Sequence, residues 1–166
     1  MTSLADSPSA DESPGEWTVR SIGRVSSSRD EPIDDDWDAV TAAITLDERF
    51  GEDAIAGLGE FSHIDVVFLF DRVDPDAVTT GARHPRGNPD WPEVGVFAQR
   101  VKNRPNRIGL STCEVLAVRG RVIEVRGLDA IEGTPVLDIK PHMVEFGARG
   151  EVRQPAWASE LMAGYF

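Results

Sequence analysis

The residues of this 166-residue chain that could do chemistry are concentrated in two stretches. In residues 95–111, GVFAQRVKNRPNRIGLS, the cations Arg100, Lys102, Arg104 and Arg107 fall within eight positions and straddle Pro105-Asn106. Proline fixes φ and removes a backbone donor, so the flanking charges are held at set angles. Four cations this close repel one another unless an anion sits among them. The stretch therefore reads either as an anion-holding loop or as the charged tip of a hairpin. In residues 127–142, GLDAIEGTPVLDIKPH, Asp129, Glu132 and Asp138 alternate with Gly127, Gly133, Pro135 and Pro141. Short acids on tight turns cap backbone N–H groups, and they can equally hold the amine or hydroxyl groups of a ligand.

Other chemistries find little support. His63, His84 and His142 are the only histidines, and none has a His or Cys at ligand spacing, so no metal site is expected. His63 precedes an apolar run and reads as a structural histidine. Cys113 is the single cysteine, which excludes an intramolecular disulfide and a multi-cysteine zinc site. There is no G-x-S-x-G, no Walker loop and no G-x-G-x-x-G, so a Rossmann-type methyltransferase or dehydrogenase is not supported.

The net charge of −12 is unevenly placed. Residues 1–82 hold 5 Lys+Arg against 19 Asp+Glu, whereas residues 83–126 hold 9 against 4. The middle is thus a basic island in an acidic protein, able to hold a phosphate or carboxylate locally while the whole-molecule field repels polyanions. Pairing of those arginines with the many acids is the competing reading. No run approaches the roughly 18 apolar residues a membrane helix needs. Residues 1–16 also lack the features of a secretory signal. A soluble cytoplasmic protein is the expectation.

The elements that must position these groups are mostly strands. Residues 1–16, rich in Ser, Pro and acid, read as a disordered acidic tail. Trp17, Val19, Ile22 and Val25 predict a first strand, with Gly23 as a bulge or close backbone approach. Residues 29–38 form an acidic loop. Val40 to Leu46 alternates with period two and predicts a strand; residues 52–60 predict a short helix; Ile64 to Phe70 predicts a central strand. Residues 74–95, with Pro75, Pro85, Pro89 and Pro92, read as a long irregular loop, of a kind that is usually functional or disordered. Val96–Ala98 and the insert Arg100–Arg107 follow. Cys113–Val118 and Arg121–Val125 flank a tight hairpin at Arg119-Gly120, and Pro135–Ile139 is one more strand. About seven strands and little helix predict a mainly β fold, closed or nearly closed into a barrel.

The two chemical stretches resemble the TrmO/TsaA-like family of β-barrel, S-adenosylmethionine-dependent tRNA methyltransferases. Its pattern, GVFATRSxFRPNPIGxS followed by LDxxDGTPVxDIKPY, is matched by Gly95 to Arg100, Arg104 to Ser111 and Leu128 to His142. Residues 58–70, LGEFSHIDVVFLF, resemble its L-x-x-F-S-H strand entry. The resemblance implies a single TsaA-like β-barrel domain over residues 17–166 with few short helices. It implies S-adenosylmethionine as cofactor, bound near the two-fold interface of a homodimer, and tRNA as partner, methylated at N6 of threonylcarbamoyl-adenosine 37.

Carried over by motif, the resemblance places Arg100, Leu110, Asp129, Ala130, Ile131 and Glu132, with Asp71 and Arg72 after the central strand, at the cofactor. Arg86, Lys102 and Lys140 would face the substrate. Asp138, His142 and Arg104 would be catalytic, with Asp138 as the first candidate to assist the poorly nucleophilic, urea-like target nitrogen. Four departures flank the reactive centre and bear on the acceptor: Gln99 for threonine, Val101-Lys102-Asn103 for Ser-x-Phe, Arg107 for the second proline of RPNP, and His142 for tyrosine. Two other functions fit the same barrel: a small-molecule methyltransferase and a non-catalytic S-adenosylmethionine-binding module.

Overall fold

The alternation of Ala42, Ile44 and Leu46 with more exposed neighbours turns one face of a strand inward, and five other segments present inward faces to the same core. The structure, a computed structural model, describes residues 15–166 and joins these segments into a closed six-stranded barrel. The strands are β1 (Gly23–Ser27), β2 (Thr41–Leu46), β3 (His63–Leu69), β6 (Ile108–Arg119), β7 (Val122–Arg126) and β8 (Pro135–Pro141). Two short strands, β4 (Ala82–Arg83) and β5 (Val94–Gly95), make a separate hairpin. Around the barrel the order is β1-β2-β7-β6-β3-β8, with every pair antiparallel. The barrel closes at the β1–β8 seam, where Gly23 pairs with Val136 and Arg24 with Pro135. Val25, Ile44, Ile64, Val66, Phe68, Ile123, Val125, Leu128 and Val136 fill the interior.

The mainly β barrel with few short helices agrees with the expectation from sequence. The acidic tail expected over 1–16 lies outside the described residues up to position 14; Gly15 and Glu16 are exposed.

The first strand is shorter than predicted. Trp17 is 86% exposed and Val19 63%, and pairing begins only at Gly23. On the β2 side Gly23 pairs with Leu46, the last residue of β2, and on the other side the ladder with β8 holds only Gly23 and Arg24, although β8 runs on to Pro141. The close approach expected at Gly23 is present, since a Cβ there would stand 2.4 Å from the Thr45 carbonyl oxygen.

The helix expected over 52–60 is two 3₁₀ turns, Glu52–Ile55 and Leu58–Glu60, split at Gly57 by its φ of 80°. The 74–95 segment is a loop built from 3₁₀ turns and the β4–β5 hairpin. The buried Gln99 side chain staples that hairpin, its Nε2 donating to the carbonyls of Arg83 (3.1 Å) and Val94 (2.8 Å). Val96–Ala98 is a single 3₁₀ turn. β6 starts five residues earlier than the sequence indicated, at Ile108, because β3 supplies partners from Leu69 back to His63. The hairpin turns at Gly120-Arg121, with Gly120 at φ 57°. The helix α1 (Ala156–Leu161) is not among the elements expected from the sequence.

Candidate functional site

At one end of the β3–β6 pair, Phe68 and Gly109 are cross-strand partners. Beside them opens a cavity of about 420 Å³, lined by Phe68, Phe70, Phe97, Arg100, Arg104, Pro105, Asn106, Ile108, Gly109, Leu110 and Asp129. That volume lies in the range of small-molecule sites. Its walls come from both stretches singled out in the sequence. Pro105-Asn106 turns the chain back into β6, and the turn is closed by Arg107, at φ 52°. A proline could not adopt that φ, so Arg107 gives the turn a conformation that the RPNP pattern excludes. Its Nη1 also donates to the Val73 carbonyl at 2.8 Å.

The electrostatics pair one cation with one buried acid. Arg100 donates from Nη2 to the Leu110 carbonyl, which fixes the guanidinium at the cavity wall and leaves its other donors available. Asp129 is the one carboxylate among the described residues that line the cavity. Its Oδ2 accepts the Tyr165 hydroxyl at 2.8 Å, and its Oδ1 is buried without a partner. Burial raises the Asp129 carboxyl, against the opposing pull of the Ser111 and Tyr165 hydroxyls and the Arg100 charge. The Tyr165 phenol is pushed up as well, first by burial and then by the Asp129 charge. Phe97 stands at the rim, 78% exposed, where an aromatic of this size is normally covered.

The other expected cofactor residues support this wall rather than line it. Residues 129–134 form a tightly tied turn. Glu132 accepts the Ser27 N–H through Oε2 at 2.6 Å, and Gly133 N–H donates to the Val25 carbonyl at 2.9 Å. Arg72 clasps the same turn, donating to the carbonyls of Glu132 (2.7 Å) and Asp30 (3.0 Å). Ala130 is buried, Ile131 is half-buried, and Asp71 is exposed just beyond β3.

Of the three expected catalytic residues, only Arg104 lines the cavity. Asp138 and His142 are not brought to it. Ile139 packs against the core, which turns Asp138 and Lys140 to the other face of β8. There Lys140 Nζ lies 2.6 Å from Asp138 Oδ2. His142 Nδ1 lies 3.1 Å from Asp65, which also accepts the Thr112 hydroxyl at 2.6 Å. The expected substrate residue Arg86 is held by the acidic loop, with Nη2 2.6 Å from Asp35 Oδ1 and Nε 3.8 Å from Asp34. Asp35, first of several causes, raises the Arg86 guanidinium further. Lys102 is half-buried and makes no ion pair among the described residues.

Reading the sequence missed Phe97 and Tyr165. Phe97 sits inside the quoted motif, and its unusual exposure is visible only in three dimensions. Tyr165 reaches Asp129 from 36 residues away. Cys113 is buried in the core, its thiol pushed up to about 12 by burial and then by the charges of Asp129 and Asp65, so it is not a reactive thiol. Among the described residues no group of three or more His, Cys, Asp or Glu side chains could hold a metal ion. No helix there is long and apolar enough to cross a membrane.

Comparison with known proteins gives a consistent neighbourhood. Residues 24–148 match the family described as the tRNA-methyltransferase O N-terminal domain. A probable S-adenosyl-L-methionine-binding protein of Archaeoglobus fulgidus is 39% identical over 102 residues, covering 61% of this chain and 26% of its own length. A human tRNA (adenine(37)-N6)-methyltransferase is 38% identical over 104 residues, covering 63% of this chain and 23% of its own. A probable S-adenosyl-L-methionine-binding protein of Pyrococcus abyssi is 33% identical over 139 residues, covering 81% and 72%. The chain thus spans about a quarter of the first two relatives. A crystal structure of TrmO from P. aeruginosa superposes with a TM-score of 0.70 at 28% identity, covering 87% of this chain and 63% of that one.

Proposed function

The chain belongs to the tRNA-methyltransferase O N-terminal domain family, and on that premise we propose that it binds S-adenosylmethionine in the cavity between Arg100 and Asp129 and methylates tRNA. The observation that carries the reading is the meeting of the two distant motif stretches on one cavity, with a cation, an under-partnered acid and an exposed aromatic as its chemical groups. Those groups suit the ligand. Arginine matches a carboxylate through paired donors. The open Oδ1 of Asp129 is an acceptor for an amine or hydroxyl, and the Phe97 and Leu110 side chains offer apolar surface for a base.

Bound S-adenosylmethionine supplies an electrophilic methyl group on a sulfonium. The chain's own contribution is positioning and electrostatics. In this reading Arg100 and Asp129 fix the two ends of the ligand's polar part, while Arg104 and Asn106 orient the incoming acceptor at the rim. The acceptor we propose is N6 of threonylcarbamoyl-adenosine 37, following the name of the human relative and the family pattern. Asp138 and His142 lie off the cavity, so in this reading the Asn106 amide oxygen accepts a hydrogen bond from N6–H; as the N–C bond forms and the S–C bond breaks, S-adenosylhomocysteine leaves and the N6 proton passes to solvent at the rim. Binding of tRNA would rest on the basic island around Lys102, since the rest of the chain is acidic. Such a protein would act in the cytoplasm.

We further propose that two copies pair. Ile108 and Leu110 are 40% and 48% exposed beside Phe97, an apolar rim that a second chain would cover. Light scattering should then give twice the chain mass.

The test is incubation of the purified protein with isotope-labelled S-adenosylmethionine and tRNA carrying threonylcarbamoyl-adenosine, followed by nucleoside mass spectrometry. Label on that nucleoside supports the reading. Cofactor binding with transfer to a small molecule, or with no transfer at all, replaces it with one of the two other functions.

A further inference from the structure

The segment after α1 makes a contact that the motif reading does not account for. Tyr165 is carried to the cavity wall by a seat of backbone hydrogen bonds. Trp37 N–H donates to the Tyr165 carbonyl at 2.8 Å and Asp36 N–H to the Gly164 carbonyl at 3.0 Å. That acidic loop is itself braced by Arg29, which lies 4.2 Å over the Trp37 ring and donates to the carbonyls of Asp35 (2.7 Å) and Asp36 (2.9 Å). On the other side, Trp91 Nε1 donates to Glu160 of α1 at 2.8 Å. A phenol held this firmly, with its hydroxyl on a cavity carboxylate, restricts how that carboxylate turns.

We infer that Tyr165 is a positioning residue for the ligand site: by engaging Oδ2 of Asp129 it holds the carboxylate with Oδ1 left open to accept from a bound amine or hydroxyl. The buried Oδ1 makes no hydrogen bond of good geometry, although the Ser111 hydroxyl and the Asp129 N–H stand near the carboxyl, so it keeps acceptor capacity for a donor from the cavity. The inference rests on the ligand reading of the cavity given above.

The hydroxyl also acts on charge. A hydrogen bond to the ionised form favours that form. The groups facing Asp129 are Arg100 from the loop before β6, Ser111 and the Cys113 thiol from β6, and Tyr165 itself; the Asp34 charge also acts on the phenol. Ser111, Tyr165 and Arg100 favour the carboxylate, while burial opposes it. Loss of the hydroxyl shifts Asp129 further towards its neutral acid, which cannot accept through both oxygens.

Tyr165→Phe keeps the ring and its packing 4.9 Å from Phe166 and removes only the hydroxyl. Two measurements separate the claims. In the ligand-free protein, carbon-13 NMR of the Asp129 carboxyl should titrate at higher pH in Tyr165→Phe than in the natural chain; an unmoved midpoint overturns the inference. In calorimetry with S-adenosylmethionine, Tyr165→Phe should bind about tenfold more weakly, the scale of one hydrogen bond to a charged group, and the loss should grow towards acid pH. In an Asp129→Asn background the same substitution should change affinity by less than about twofold, because the two residues act as one unit. Equal losses in both backgrounds would reduce Tyr165 to a general structural role and overturn the inference. If the natural chain binds no S-adenosylmethionine, the ligand reading fails, and the titration still decides whether Tyr165 governs Asp129.

Discussion

Gly109 of β6 passes so close to Phe68 of β3 that a Cβ on it would stand 2.3 Å from the Phe68 ring. The two are cross-strand partners, and both line the cavity. The glycine is therefore a space requirement: the ring lies where a side chain would be. Gly109→Ala should lose about 1–3 kcal/mol, the usual cost of overpacking, and should weaken ligand binding as Phe68 is pushed into the cavity. Gly95, in the same motif, is the control. No atom lies within 4 Å of its Cβ position, and its φ is −60°. Gly95→Ala should stay within roughly 0.5 kcal/mol of the natural chain. Thermal unfolding of the two variants measures the contrast, and equal losses would contradict the packing argument.

Arg86 and Asp35 join the Pro/Gly loop to the acidic loop through two contacts of 2.6 and 3.2 Å. Both side chains remain partly in water, so the pair should be worth less than about 1 kcal/mol. Denaturant unfolding of Arg86→Ala should show that small loss at low salt and almost none at high salt. A large, salt-independent loss would contradict this surface-pair account of Arg86.

The pH dependence of stability should carry a mark from Asp65. Burial raises its carboxyl, but the Thr112 hydroxyl and the His142 ring outweigh burial and hold it below the ordinary aspartate value of 3.8. A depressed folded value means that the unfolded chain binds the proton more readily. The contribution is therefore complete above 3.8 and is lost as pH falls through the lower folded value. Chemical denaturation from pH 6 down to pH 2 should show a steeper acid loss for the natural chain than for Asp65→Asn. Parallel curves would contradict the pairing with Thr112 and His142.

Much of this architecture was legible before any coordinates. The period-two run at Ala42, Ile44 and Leu46 and the apolar run from Ile64 each mark a strand because one barrel face is buried. Arg100, Arg104, Leu110 and Asp129, singled out from contiguous motifs, all line the cavity. What the sequence did not show is which face of a strand a motif residue takes. The register of β8 on β3 shifts between Val67 and Phe68, Ile139 goes inward, and Asp138, Lys140 and His142 end away from the cavity. Trp17 to Ser21 looked strand-like by composition, but Trp17 and Val19 stay exposed and the ladders with β2 and β8 both begin at Gly23. The bond of Tyr165 to Asp129 spans 36 residues and rests on the seat that the acidic loop provides, so no local pattern announces it.

The central claim is that Arg100 and Asp129 hold S-adenosylmethionine in one cavity. Calorimetric titration of the cofactor into the natural chain and into Arg100→Ala tests it most directly, with thermal unfolding to verify that the variant is folded. One site per chain is expected, with a loss of about 1.5–3 kcal/mol in Arg100→Ala, the range for a hydrogen bond to a charged group. Undiminished affinity in a folded Arg100→Ala would contradict it.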